Sequence, residues 1–177
     1  MVKNEFFKSQ LIYFIFLTLM IYVCGNIQST FFAQIGTPWL HIDLISIIIA
    51  YLCLEHHILF ATVQGILAGA FMQMNSSSPH IFFILYFMLV VVLSNTLSKL
   101  FVVNSLISKI IIFSFLYFIK YILFYFSINN RLEIGVSRIF SDYWKEYAAT
   151  CIAAFLFYKL LLLYDALFVL PGSIKKR

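Results

Sequence analysis

The sequence predicts an all-α membrane protein, a polytopic bundle of about six transmembrane helices forming a single domain over residues 1–177. Three observations predict it. Hydrophobic residues make up 63% of the chain and charged residues 11%, where a soluble domain carries roughly a quarter charged. The apolar residues gather in runs near the length that crosses a bilayer, about 20 residues for a hydrocarbon core of about 30 Å. Bulky Phe (21) and Tyr (11) outnumber Gly (6) and Pro (3) without polar–apolar alternation, which argues against a β-barrel. The net charge of +5 lies at the N-terminus, between two central runs and in Lys175, Lys176 and Arg177. That distribution reads as membrane orientation, and no basic stripe with interleaved aromatics points to a nucleic acid.

The first apolar run, Leu11 to Cys24, follows Lys3 and Lys8. No small-x-small cleavage site comes after it, so a retained first helix is expected rather than a signal peptide. Asn26 to His41 is polar and aromatic, with Pro38 and Trp39 where an interfacial anchor would sit, and is expected to be an external loop or surface-lying turn. The second run, Ile42 to Leu54, is short for a crossing and ends in Glu55, His56 and His57. Ile58 to Met74 forms the third helix, closed by the polar NSSSP turn; Ile81 to Ser98 forms the fourth, Leu106 to Phe126 the fifth and Ala148 to Leu163 the sixth. Residues 127–147 mix charges with aromatics and are expected to lie at the interface as an amphipathic segment. With the N-terminus inside, six crossings place Lys3, Lys8, Lys99, Lys109, Lys175, Lys176 and Arg177 in the cytoplasm and only Arg131, Arg138 and Lys145 outside. Both termini are therefore expected to be cytoplasmic.

Polar groups in lipid need a partner or an escape route. Asp43, at the mouth of the second helix, is placed either to cap that helix or to face an outer pocket shaped with His41, Pro38 and His80. On the third helix Ala61, Thr62, Gly65, Ala68, Gly69 and Gln73 share one small, polar face, which lets the second helix or another protein approach closely. Glu55-His56-His57 lacks the i, i+4 histidine spacing of a helical metal site and reads as a solvated turn, so no metal is expected. Cys24, Cys53 and Cys151 are far apart in apolar sequence and indicate neither a disulfide nor a zinc site. Lys120 and Lys159 are expected to snorkel; Asp165, six residues beyond Lys159, lies on another side of its helix. No nucleophile, P-loop or paired-carboxylate motif is present, so neither an enzyme nor a cofactor is expected.

An acidic residue opening a short second helix (Asp43, in IDLISIIIAYLCL), a glycine pair in the third (Gly65 and Gly69, in GILAGAFMQM), a short turn with Pro79, and the length and helix count together resemble the bacterial rod shape-determining MreD family. Ile42 stands where family members often carry proline, and Gln73 where they often carry an acidic residue. The resemblance implies a fold similar to the substrate-binding subunits of energy-coupling-factor vitamin transporters. It also implies a place in the bacterial cytoplasmic (inner) membrane and a non-enzymatic scaffold role in cell elongation. The partners so implied are the single-span protein MreC and, near it, the MreB filament and RodA with its transpeptidase. A vitamin-type transport subunit, with Asn26 to His41 as lid and Asp43, Gln73 and His80 near its pocket, is the alternative.

Overall fold

The computed structural model describes residues 2–32, 42–76, 81–101, 103, 105–132 and 136–168, and those residues form helices without a strand. The helices are α1 (Val2–Asn26), running on into a π-helical turn (Ile27–Phe32), α2 (Leu44–Glu55), α3 (Ile58–Met74), α4 (Phe82–Leu100), α5 (Leu106–Leu132) and α6 (Val136–Phe168). Among the described residues, four stretches are long and apolar enough to cross a membrane: Leu11–Thr30, Phe82–Leu100, Leu106–Phe126 and Tyr143–Ala166. At 12 and 17 residues, α2 and α3 reach only about 18 and 26 Å.

The fold is organised around α2. Every one of its residues from Leu44 to Leu54 is buried, and no large apolar side chain of α2 is exposed, whereas each of the other helices turns such side chains outward. On α5 the outward row is Ile107, Ile111, Phe115, Ile122 and Phe126, the spacing of a lipid-facing stripe. A helix that is apolar all round has to be buried, and the β-branched run Ile47-Ile48-Ile49 is held helical by packing and by the need to close backbone hydrogen bonds, not by propensity. One side of α2 (Ile45, Ile48, Ile49, Leu52) packs with Leu17 of α1, Ala68 of α3, Phe87 and Val91 of α4 and Leu116 of α5 in a single core. The other (Ile47, Ala50) meets Phe113 and Tyr117 of α5 and Ala153 and Ala154 of α6, where three alanines allow close approach.

Local chemistry fixes the ends of α2. Asp43 is its N-cap, accepting hydrogen bonds from Ser46 N (3.0 Å) and Ser46 Oγ (2.7 Å). At the other end His56 is extended and its N–H donates to Leu52 O (3.0 Å). His57 then caps α3, its Nδ1 accepting from Leu59 N at 3.4 Å. The chain runs up and down: Tyr13 of α1 and Asp165 of α6 meet at His56, and Gln28, in the turn that prolongs α1, and Lys120 of α5 meet at Asp43. The beginning of α1 and the end of α6 thus lie at the same end of the bundle as the α2–α3 turn.

Two elements differ from expectation. Asn26 onward is not simply loop: helix continues to Phe32 because its polar side chains bond back to their own helix, Asn26 Nδ2 donating to Tyr22 O (2.9 Å) and Thr30 Oγ1 to Asn26 O (2.5 Å). The described part of residues 127–147 is not a separate element: 127–132 prolong α5 to Leu132, about 18 Å beyond Lys120, and 136–147 begin α6 at Val136, so the sixth helix is far longer than Ala148 to Leu163.

Ile81, before α4, has φ 73°, a left-handed conformation rare for a β-branched residue. It is half-exposed and makes no cap with its side chain. Replacing Ile81 by Gly is therefore expected to stabilise the protein by about 1 kcal/mol, read as a small rise in unfolding temperature in detergent.

Candidate functional site

Among the described residues, three polar clusters lie inside the bundle at the two ends of α2. At the Asp43 end, the carboxylate, 2% exposed, accepts from Lys120 Nζ at 2.7 Å on Oδ2 and from Gln28 Nε2 at 3.3 Å on Oδ1. Lys120 also lies 3.6 Å from Glu146 Oε1, with its ammonium 5.0 and 5.9 Å from the ring centres of Tyr117 and Tyr121. Tyr117 Oη donates to Glu146 (3.0 Å) and Tyr121 Oη to Tyr117 Oη (3.1 Å), while Asp43 N donates to Thr150 Oγ1 (3.1 Å). One cation thus serves two carboxylates from different helices over an aromatic floor. Such a pair in low dielectric needs all of its hydrogen bonds to offset desolvation.

At the opposite end there are two clusters. Glu55 accepts from Lys109 Nζ of α5 and from Tyr158 Oη of α6 (2.7 Å). Beside it Asp165 of α6, 1% exposed, accepts from Tyr13 Oη (2.6 Å) and Tyr51 Oη (2.6 Å), and His56 Nε2 stands 2.9 Å from its Oδ2. Tyr51 and Tyr158 cross edge to face at 4.9 Å, so the two clusters share a wall. Carboxylates, an imidazole and tyrosine hydroxyls within hydrogen-bond reach of one another can hold and exchange protons. Among the described residues no three His, Cys, Asp or Glu side chains gather as for a metal ion.

The structure disperses some of the sequence-derived groupings and assembles others. Asp43 caps α2 and is closed off by Lys120 rather than open to the outside; His41 and His80, its supposed pocket companions, lie outside the described residues. The small face of α3 is occupied from within the chain, by α4 at Gly65, Gly69 and Gln73, while Ala68 belongs to the core that α2 shares. A Cβ on Gly69 would stand 2.8 Å from Ile84 Cα and 3.1 Å from Phe83 O, so backbone meets backbone there. Gly65 faces Val91 and Phe87, Ala61 and Ala68 are buried, Thr62 Oγ1 bonds back to Ile58 O (2.7 Å), and Gln73 Oε1 accepts from Phe83 N (3.2 Å) across the α3–α4 contact. Glu55-His56-His57 is not a solvated turn: His57 alone of the three is exposed. Lys120 does not snorkel; it is pinned between Asp43 and Glu146. Lys159 is exposed, its ammonium 4.5 Å from the Phe155 ring centre.

Gln64, on the same helix as the glycine pair, is buried and ties α3 to α1 through Thr18 Oγ1 (3.0 Å) and Phe14 O (3.4 Å). The pairs Asp43–Lys120 and His56–Asp165 join residues far apart in the chain, and no local motif announces them. The one signal in the sequence is the presence of Lys120 and Asp165 inside apolar runs, which by itself demands a partner, whereas Asp43 and His56 stand at the ends of theirs.

The chain matches no family model, no curated protein and no solved structure at a significant level.

Proposed function

We propose that this chain is a six-span, non-enzymatic scaffold of the bacterial cell-elongation machinery, of the MreD type. It sits in the cytoplasmic membrane with both termini inside and binds the single-span protein MreC, near MreB and RodA with its transpeptidase. The observation that carries this reading is α2: the middle of the bundle is filled by the chain's own helix, whose charged ends are neutralised by other helices. A bundle closed on itself suits a protein that works through its outer surface. Two short crossings fit within it, because α2 meets protein rather than lipid and need not match the bilayer thickness. Since α4 covers Gly65 and Gly69, a partner helix has to lie against the outward apolar faces instead. The test is co-expression with the MreC encoded in the same genome, followed by detergent extraction and affinity purification. Stoichiometric co-elution is expected, together with restored rod shape in cells depleted of their own MreD; a chain that elutes alone and leaves the cells round contradicts the reading.

One observation favours the alternative of a vitamin-type transport subunit with a fold similar to those of energy-coupling-factor transporters. Gln28 Oε1 is buried beside Asp43 without a hydrogen-bond partner among the described residues. Mass spectrometry of the purified protein separates the two: a stoichiometric bound metabolite supports the transporter and its absence supports the scaffold.

A further inference from the structure

One row of α6 side chains is turned outward: Ile152, Phe155, Leu156, Lys159, Leu160 and Leu163 are exposed and recur at the three- and four-residue spacing of a single helix face. The opposite side, with Ala154, Tyr158, Leu161 and Asp165, is buried in the bundle. Five members of the outward row are apolar, as a lipid-facing stripe should be. The sixth is a cation.

Lys159 belongs to the stretch Tyr143–Ala166, which is long and apolar enough to cross a membrane. Its Cα is about 10 Å from the Ala166 end, but its side chain does not run that way. Side chains on a helix lean toward the N-terminus, and the Lys159 ammonium lies 4.5 Å from the ring centre of Phe155, one turn back. Along the axis Phe155 is about 18 Å from Tyr143 and about 17 Å from Ala166. The charge therefore sits near the middle of the span.

Among the described residues, no carboxylate lies within ion-pair distance of Lys159, whereas Lys109 and Lys120 of α5 are paired with Glu55 and Asp43. Asp165 is buried on another side of α6 and is held by Tyr13 and Tyr51. One ring face offsets only part of the cost of a charge in hydrocarbon, so the position calls for an anion at the same depth. Lipid phosphates lie about 15 Å from the middle of the hydrocarbon core. A second copy of this chain is no better a source: among its described residues Asp43, Glu55, Glu146 and Asp165 are all engaged within their own bundle.

We propose that the outward face of α6 around Lys159 docks a transmembrane helix of another protein, one that carries a single Asp or Glu near its midpoint. That carboxylate meets Lys159 beside the Phe155 ring, while Ile152, Leu156, Leu160 and Leu163 pack along the partner helix on either side. The charge also confers selectivity, because a wholly apolar helix laid on this face leaves Lys159 unpaired. The described outward rows of α1 (Leu11, Ile15, Leu19) and α5 (Ile111, Phe115, Ile122) are apolar, so they offer no such choice. From the scaffold reading this inference takes only that a partner helix lies against an outward face.

The test places the photo-cross-linker p-benzoylphenylalanine at Leu156 of the full chain, irradiates cells, and identifies the adduct by mass spectrometry. The expected adduct is with a membrane-spanning segment bearing a central carboxylate. Its yield should fall about tenfold or more in Lys159→Met, survive in Lys159→Arg, and return when Lys159→Glu is combined with Lys in place of the partner's acid. The reciprocal exchange keeps the test decisive even where a single variant folds poorly. Adducts with lipid alone, a protein adduct whose yield Lys159→Met leaves unchanged, or a partner span without a carboxylate overturns the proposal. The two readings fail separately. A charge-dependent adduct with a span other than that of MreC upholds the docking face and counts against the scaffold reading, whereas co-elution with MreC that Lys159→Met does not alter upholds the scaffold and overturns the docking face.

Discussion

Lys120→Met is expected to destabilise the protein severely, by about 3–5 kcal/mol, and the double substitution Asp43→Asn/Lys120→Met to recover part of the loss, Glu146 still lacking the Lys120 charge. The single substitution leaves the Asp43 carboxylate, 2% exposed, with hydrogen bonds from Ser46 and Gln28 but no cation among the described residues. Removing one partner of a buried pair costs about this much because the other charge stays desolvated, whereas removing both charges is often close to neutral. The asparagine side chain of the double variant still offers an oxygen to Ser46 N, so the cap on α2 survives. Unfolding in mixed micelles, read by circular dichroism, measures the cycle. A double variant as unstable as the sum of the two singles would show that the pair is not coupled and that Lys120 finds its partner in water or lipid headgroups.

The second large effect is expected at Gly69. An added Cβ would lie 2.8 Å from Ile84 Cα and 3.0 Å from Ile84 N, atoms that belong to the backbone of α4 and cannot turn aside. Gly69→Ala therefore has to push α3 and α4 apart. Overpacking of this kind costs about 1–3 kcal/mol, and Gly69→Leu should prevent the hairpin from closing. At Gly65 the corresponding atom would sit 3.5 Å from Val91 Cγ2, ordinary contact. Gly65→Ala is expected to be neutral or mildly stabilising, since Ala is favoured over Gly in a helix by about 1 kcal/mol. Equal effects at the two positions would mean that the close approach of α3 to α4 is not centred where these contacts place it.

The contrast between the two glycines shows what sequence alone made legible. Spacing identified the small face of α3, and the third helix runs from Ile58 to Met74 as the apolar pattern indicates. Spacing could not say which neighbour fills that face, because α2 and α4 are both apolar and adjacent in the chain. The apolar runs located the helices, whereas their polar extensions were missed. Asn26, Ser29 and Thr30 satisfy themselves against their own helix, and α5 and α6 each continue past the apolar window. The interior site was the least legible part. Asp43, Lys120 and Glu146, like His56 and Asp165, come together only through the up-and-down packing of α2, α5 and α6, and a solvated turn and a buried imidazole read alike when only the neighbours of His56 in sequence are known.

All of these effects depend on α2 being an interior helix pinned at both ends. Hydrogen exchange read by mass spectrometry on the protein in lipid nanodiscs tests that most directly. Peptides covering Leu44–Glu55 are expected to stay undeuterated for hours, at least as protected as Phe82–Leu100 although α2 is only 12 residues long. Exchange of Leu44–Glu55 within minutes, while Phe82–Leu100 remains protected, would contradict the buried central helix and the paired charges that hold it.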